Sequence, residues 1–236
     1  MSRYVLTVVT IVLNDYIHIE NTILSVINLF HFDKVEYIVI DGGSNDGTKE
    51  IIQKYSNKLA YWVSEKDGGI YDAMNKAIKH CNGKWINFMN SGDKFYDKDI
   101  INAFNLVDND DYNILYGSKI INNKIFKPLK LHTLEKGEIM ACHQSMFFNK
   151  NRLKNNLYYN LKYEIYSDYE LVNRIYMIEK NRFKYYSVVV TDFLGGGISS
   201  KKSWKKRREK YLILLNTYGL LSVIKIIIKK VVNFVN

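Results

Sequence analysis

The feature that most restricts this chain is the alternation of β-rich runs with helical patterns across its first hundred residues. Tyr4 to Leu13 is a β-rich run ending in polar Asn14-Asp15, followed by Ile19 to Phe30, where Ile23, Val26, Ile27 and Phe30 share a helical face. Val35 to Ile40 is a second strand, and Asp41-Gly42-Gly43-Ser44-Asn45-Asp46-Gly47-Thr48 turns the chain into a helix reaching about Tyr55, with Ser and Asp side chains available as caps. Tyr61 to Ser64 is a short strand, Gly69 to Cys81 a helix with Ile70, Met74, Ala77 and Ile78 as its core stripe, and Trp85 to Met89 a fourth strand. This order predicts an α/β fold with a parallel, doubly wound sheet, a class that binds ligands beyond the C-terminal ends of its strands. Asn14, Asp41 and the run Asn90-Ser91-Gly92-Asp93 fall at those ends.

The second half reads differently. Asn113 to Tyr116, a hairpin from Ile120 to Phe126 around Asn122-Asn123, Ser145 to Phe148 and Tyr185 to Val190 are strands, with a helix from Tyr166 to Ile178. They predict an antiparallel extension of the sheet. The 236 residues allow one α/β domain with a short appendage, and 47% hydrophobic residues with a single proline exclude a disordered or fibrous chain. Cys81 and Cys142 lie far apart, without CxxC spacing or a histidine at zinc-ligand distance, so reduced, metal-free thiols are expected. The apolar N-terminal stretch is short, β-branched and lacks a small-residue cleavage site, which predicts a buried strand rather than a secretion signal.

The net charge of +10 calls for an anionic neighbour. Much of it gathers in Lys201-Lys202, Lys205-Lys206-Arg207-Arg208 and Lys210, just ahead of an apolar stretch from Tyr211 to Val235. Lys225, Lys229 and Lys230 fall in or near one helical face, opposite Ile224, Ile227, Ile228, Val231 and Val232. This pattern predicts an amphipathic helix lying on an anionic membrane surface. A membrane span is the weaker reading, since the longest uncharged run falls short of roughly 18–20 residues, and the plain alternative is a helix packed on its own domain. No nucleic-acid partner is expected, because the charge adjoins an apolar stripe and no basic-aromatic sheet signature accompanies it.

Asp41, at the end of a buried strand beside two glycines, is suited to a nucleobase or ribose, or to capping the next helix. Asp93 can offer a carboxylate to a divalent cation and a pyrophosphate, or simply close a turn. Leu13-Asn14-Asp15-Tyr16 is no glycine-rich basic phosphate loop, which argues against a nucleotidyltransferase.

Four segments then stand in a telling order: Thr10-Ile11-Val12-Leu13-Asn14; Val39-Ile40-Asp41-Gly42-Gly43-Ser44-Asn45-Asp46-Gly47-Thr48; Ser64-Glu65-Lys66-Asp67-Gly68-Gly69-Ile70-Tyr71-Asp72-Ala73-Met74-Asn75-Lys76; and Asn87-Phe88-Met89-Asn90-Ser91-Gly92-Asp93. With them the chain up to Ser200 resembles glycosyltransferase family 2, and within it the bacterial O-antigen and capsule enzymes. His143-Gln144-Ser145, Ser167-Asp168-Tyr169-Glu170 and Gly195-Gly196-Gly197-Ile198-Ser199 look like that family's acceptor-side elements. The resemblance implies a GT-A fold: a Rossmann-like, mostly parallel sheet flanked by helices, with an antiparallel acceptor-side extension and a C-terminal amphipathic helical tail. It also implies inverting transfer of a hexose or N-acetylhexosamine from a nucleotide diphosphate sugar, a UDP-sugar being expected, to a lipid-linked or growing surface-polysaccharide acceptor. The alternative is a catalytically dead, membrane-associated scaffold.

Carried onto this sequence, the resemblance implies that Thr10, Asn14, Asp41, Ser44, Asp67, Gly69, Asn75, Asn90 and Asp93 contact the donor. Asp93 would hold Mn²⁺ or Mg²⁺, although Asn90 and Gly92 stand where the family often has Asp. Asp168 would be the base, and His143 and Gln144 would orient acceptor or diphosphate. The expected division is a transferase domain at 1–200, with a nucleotide-sugar half at 1–97 and an acceptor half at 98–200, followed by basic amphipathic helices at 201–236. Its expected place is peripheral, on the cytoplasmic side of the bacterial inner membrane. The loop from Gly195 to Ser200 would fold over bound donor and exclude water.

Overall fold

The computed structural model describes residues 3–195 and 203–235. Strand β1 (Leu6–Val12) is buried along its length and pairs in parallel with β2 (Val35–Asp41) on one side and β4 (Trp85–Phe88) on the other; β3 (Tyr61–Ser64) adds to β2. These are near-continuous apolar runs because helices cover both faces. Val8, Val12, Tyr37 and Val39 pack with Ile19, Ile23 and Val26 of α1 (Ile19–Ile27) and Ile52 of α2 (Thr48–Lys54). Val9, Ile11, Ile38 and Ile40 face the other way, against Met74, Ala77 and Ile78 of α3 (Ile70–His80). The period of two along each strand thus sorts the residues into two cores. Helix α1 ends at Ile27, earlier than its apolar stripe suggests, and Phe30 is 57% exposed.

The sheet order is β3-β2-β1-β4-β8-β6-β9-β5, with β7 hydrogen-bonded to β6. Here β5 is Lys94–Phe95, β6 Ile114–Ile121, β7 Lys124–Phe126, β8 Met146–Asn149 and β9 Phe183–Asp192. Strand β8 runs antiparallel to β4 and β6, which gives the expected antiparallel extension, while β6 and β9 are parallel. The β6–β7 turn is Asn122-Asn123, with φ of 47° and 63°, the left-handed conformation that a two-residue hairpin demands. The two-residue β5 and the single-turn helices α4 (Ile100–Ala103) and α5 (Lys150–Leu153) leave no periodic signal and were not foreseen. Helix α6 (Ser167–Ile178) packs beneath the site.

The last helix, α7 (Trp204–Val235), is broken at Gly219 (φ 77°, ψ 171°). Its first half is docked on the domain rather than free for a membrane. Ile213 and Leu214 are buried, and the Tyr218 hydroxyl donates to Asn173 Oδ1 at 2.5 Å. Glu209, 5% exposed, accepts the backbone N–H groups of Glu164, Ile165 and Tyr166 at 3.1, 3.0 and 3.0 Å. Beyond Gly219, Leu220, Leu221, Ile224, Ile227 and Ile228 stand exposed along one side. Trp204–Ile228 holds an 18-residue window with a mean hydropathy of 1.9, long and apolar enough to cross a membrane by length and composition alone. The break at Gly219 leaves its first piece about 22 Å long, against a hydrocarbon core of about 30 Å.

Removing the Glu209 carboxylate strands three backbone donors at a partly buried site. Glu209→Ala is expected to cost about 2 kcal/mol, a fall in melting temperature of roughly 4–8 °C for a chain of this size. Glu209→Gln, which keeps an acceptor, should lose less; scanning calorimetry of both variants checks the order.

Candidate active site

A cleft of about 810 Å³ opens at the carboxyl edge of β1 and β4 and is closed on the far side by β6, residues 139–145 and the start of α6. The turn after β4 delivers Asp93 to it. Gly92 takes φ 93°, and Thr22 Oγ1 pins the turn by accepting from Gly92 N (3.0 Å) and donating to Asp93 O (2.8 Å). The Asp93 carboxylate is 5% exposed; Oδ1 accepts from Leu194 N at 3.0 Å and Oδ2 from Gln144 Nε2 at 2.5 Å. Burial pushes its pKa up, against these hydrogen bonds and the nearby positive groups. A carboxyl so buried is stabilised in its charged form by a cation placed against it.

From Asp93 a polar chain crosses the cleft. Asn90 Nδ2 lies 2.9 Å from His143 Nε2, and His143 Nδ1 lies 3.9 Å from Asp168 Oδ2. An Asn90 amide donating to Nε2 leaves the ring proton on Nδ1, the nitrogen nearer Asp168. Asp168 sits in the first turn of α6, where its Oδ1 accepts from Tyr169 N at 2.7 Å. Tyr71, Tyr159 and Tyr166 surround it; burial first, and then the charge of Asp168, hold their hydroxyls protonated above the usual tyrosine range.

Two buried oxygens here have no hydrogen-bond partner, Asn90 Oδ1 and Gln144 Oε1. Their residues line the cavity with Asp93, and carboxylate and amide oxygens are the donor chemistry that suits Mg²⁺ or Mn²⁺. Among the described residues no group of three His, Cys, Asp or Glu side chains could enclose an ion. The fit is to a cation that takes its remaining ligands from a diphosphate, as Mg²⁺ commonly does.

A second cluster lies beside the cleft, at the ends of β1, β2 and β3. Asp41 is fully buried and accepts from Ser44 N (3.1 and 3.2 Å), Ser44 Oγ and Ser64 Oγ (2.6 Å). Ser44 Oγ accepts from Asn14 N at 2.7 Å, and Asn14 Oδ1 from Asn45 N at 3.0 Å. Asp67 Oδ1 accepts from Gly69 N at 2.9 Å, and its Oδ2 would lie 2.7 Å from a Cβ at position 42, so a side chain there would displace it. Asn14, Asp41, Ser44, Asp67 and Gly69 are therefore one connected ledge, while Asn90, Asp93, His143, Gln144 and Asp168 line the cleft itself.

Thr10 and Asn75 join neither group. Thr10 belongs to the strand face that packs under α1 and α2; it is fully buried, donates to Met89 O at 2.8 Å and lies 3.0 Å from Tyr37 Oη. Its expected contact with a nucleoside is corrected by strand alternation, which points it into the core. Asn75, expected at the donor, instead clamps a neighbouring segment, donating to Tyr159 O (2.9 Å) and accepting from Tyr159 N (2.8 Å). Of the expected loop at 195–200, only Gly195 is among the described residues.

The structure also brings in residues that sequence reasoning did not single out. Asp15 Oδ2 accepts from Ser91 Oγ at 2.7 Å, which ties the end of β1 to the Asp93 turn. Lys119 lines the cleft from β6, and Glu209 supports the segment leading into Asp168. Lys119 is the lone charge in an otherwise apolar and small strand, and Glu209 the lone acid in a basic run, which is the signal that could have found them.

Comparison with known proteins agrees with this geometry. The model of Glycosyl transferase family 2 matches residues 7–206. An uncharacterized glycosyltransferase of Mycobacterium tuberculosis (strain CDC 1551) is 30% identical over 187 residues, covering 75% of this chain and 71% of that protein. A PGL/p-HBAD biosynthesis glycosyltransferase of Mycobacterium bovis is 26% identical over 174 residues, covering 70% of this chain and 68% of that protein. Among solved structures, S. aureus TarS 1–349 in complex with UDP-GlcNAc superposes with a TM-score of 0.71 at 19% identity, over 90% of this chain and 67% of that one. The chain spans 40% of the longer TarS structure. Glucosyl-3-phosphoglycerate synthase from Mycobacterium tuberculosis, with Mn²⁺, UDP and phosphoglyceric acid, gives a TM-score of 0.65 at 15% identity, over 92% of this chain and 79% of that one. These structures share the GT-A fold with this chain. On the match over most of its length, the chain belongs to glycosyl transferase family 2.

Proposed function

We propose that this chain is an inverting transferase that moves a hexose or N-acetylhexosamine from a UDP-sugar to a lipid-linked or growing surface-polysaccharide acceptor of the O-antigen or capsule kind. The observation that carries the reading is the convergence of Asp93 and Asp168 on one cleft, joined through Asn90 and His143, at the carboxyl edge of the parallel strands. The UDP-GlcNAc held by TarS and the UDP with Mn²⁺ held by the phosphoglycerate enzyme, both on the same fold, support the donor class.

In this mechanism Asp168 accepts the proton of the acceptor hydroxyl as its oxygen attacks the anomeric carbon. The bond from that carbon to the diphosphate oxygen breaks on the opposite face, its electron pair leaves with the nucleoside diphosphate, and the configuration inverts. His143 holds Asp168 in register with the donor side. The ledge of Asn14, Asp41, Ser44, Asp67 and Gly69 receives the nucleoside. Asp93, with Asn90 Oδ1 and Gln144 Oε1, would hold Mn²⁺ or Mg²⁺, which when bound offsets charge on the departing diphosphate. The exposed stripe from Leu220 to Ile228, behind the basic run, supports peripheral docking on an anionic membrane at the cytoplasmic side of the bacterial inner membrane.

A thermal-shift screen against UDP, GDP, CMP and dTDP, with and without Mn²⁺, tests the donor class. UDP with Mn²⁺ should stabilise most, by about 2.7 kcal/mol at a hundredfold excess over Kd, and Asp93→Ala should abolish the effect; no shift with any nucleotide overturns the reading. Asp168→Asn is expected to lower kcat by about 10²–10⁴-fold with UDP binding unchanged by calorimetry. Full-length protein should sediment with vesicles containing anionic lipid and stay in the supernatant with neutral ones, and a chain ending at Tyr218 should remain soluble with both. Equal sedimentation of the two chains would remove the membrane assignment.

A further inference from the structure

Lys119 is a half-buried cation of the cleft with no acceptor against it among the described residues. It projects from β6, half-buried, into the same cavity as Asp93, and its Nζ lies 4.5 Å from the centre of the Phe193 ring. The backbone that carries this ring is tied to β6, because Phe193 N donates to Ile120 O at 2.9 Å as the chain leaves β9. A ring face attracts an ammonium but satisfies none of its three donors with a conventional acceptor. Among the described residues no hydrogen bond or ion pair takes them up.

The acidic groups around the cleft are already engaged. Asp93 is held by Gln144 and Leu194, Asp15 by Ser91 and His18, Asp168 by Tyr169 N with His143 alongside, and Glu164 pairs with Lys205. A half-buried ammonium without a partner is costly, so an anion from outside the protein is the natural occupant. Lys119 and Asp93 line the same cavity, one from β6 and the other from the turn after β4. An anion entering the cavity meets a lining that holds the Lys119 ammonium, the Asp93 carboxylate and the amides of Asn90 and Gln144. Such a set complements a diphosphate carrying a divalent cation: the cation to the oxygens, a free phosphate oxygen to the lysine.

We propose that Lys119 binds the diphosphate of the sugar nucleotide and stabilises the negative charge that grows on it as the bond from the anomeric carbon to the diphosphate oxygen breaks, a task it would share with the cation that Asp93 would hold. The assignment rests on the UDP-sugar reading above and adds to it a residue outside the family-like segments. An ammonium aimed where charge develops acts in the transition state more than in the ground state.

The test is calorimetric titration of wild type, Lys119→Met and Lys119→Arg with UDP and with uridine, each in EDTA and in Mn²⁺, together with steady-state transfer. Lys119→Met should weaken UDP by about tenfold or more in both media, leave uridine binding unchanged as the check on folding, and lower kcat. Lys119→Arg should restore most of the loss. UDP affinity within twofold of wild type in both media overturns the proposal. So does a loss confined to the KM of a phosphate-bearing lipid acceptor, which would assign Lys119 to that substrate instead. If wild type itself binds no UDP, the donor reading fails first, an outcome distinct from a lysine that proves silent in a protein that binds UDP.

Discussion

Everything at the site follows from the placement of β1 between two parallel partners. The register pairs Val12 with Asp41 on one side and Val9 with Phe88 on the other, so three strands end at the same edge. From β1 the chain turns to α1 and β2 on one side, while β4 lies on the other, and a crevice must open where the connections diverge. Helices seal both faces, so polar side chains accumulate at the one edge where they meet solvent. Asn14, Asp41 and the Asn90–Asp93 turn occupy that edge for this reason.

The antiparallel half completes what the parallel half begins. Strand β8 adds to β4 in the opposite sense, and the residues just before it, His143 and Gln144, arrive beside Asn90 and Asp93. Asp168 reaches the same space from α6. The polar lining of the cleft is thus drawn from separate parts of the chain, the turn after β4, the segment before β8 and the start of α6.

Helix α7 extends this dependence to the end of the chain. Glu209 holds the backbone of residues 164–166, immediately ahead of Asp168, so the docked half of the tail supports the acceptor-side wall. After Gly219 the same helix turns its apolar side outward. One element therefore joins the support of the segment before Asp168 to an exposed apolar surface, with a glycine able to adopt positive φ at the junction.

By itself the sequence determined the parallel strands, their helices and the polar residues at their carboxyl ends, because strand and helix periodicities are local properties of the chain. It also marked Asn90, Asp93, His143, Gln144 and Asp168, which the fold gathers at one cleft. It misassigned Thr10 and Asn75, since whether a polar side chain faces ligand or neighbour depends on which face of an element is covered. It passed over Lys119 and Glu209, whose meaning lies in partners found across the fold: an ammonium facing a cavity without an acceptor, and a carboxylate with three backbone donors more than forty residues away in sequence. Only the tertiary structure decided these, because burial and long-range hydrogen bonding are not encoded in any local window of the chain.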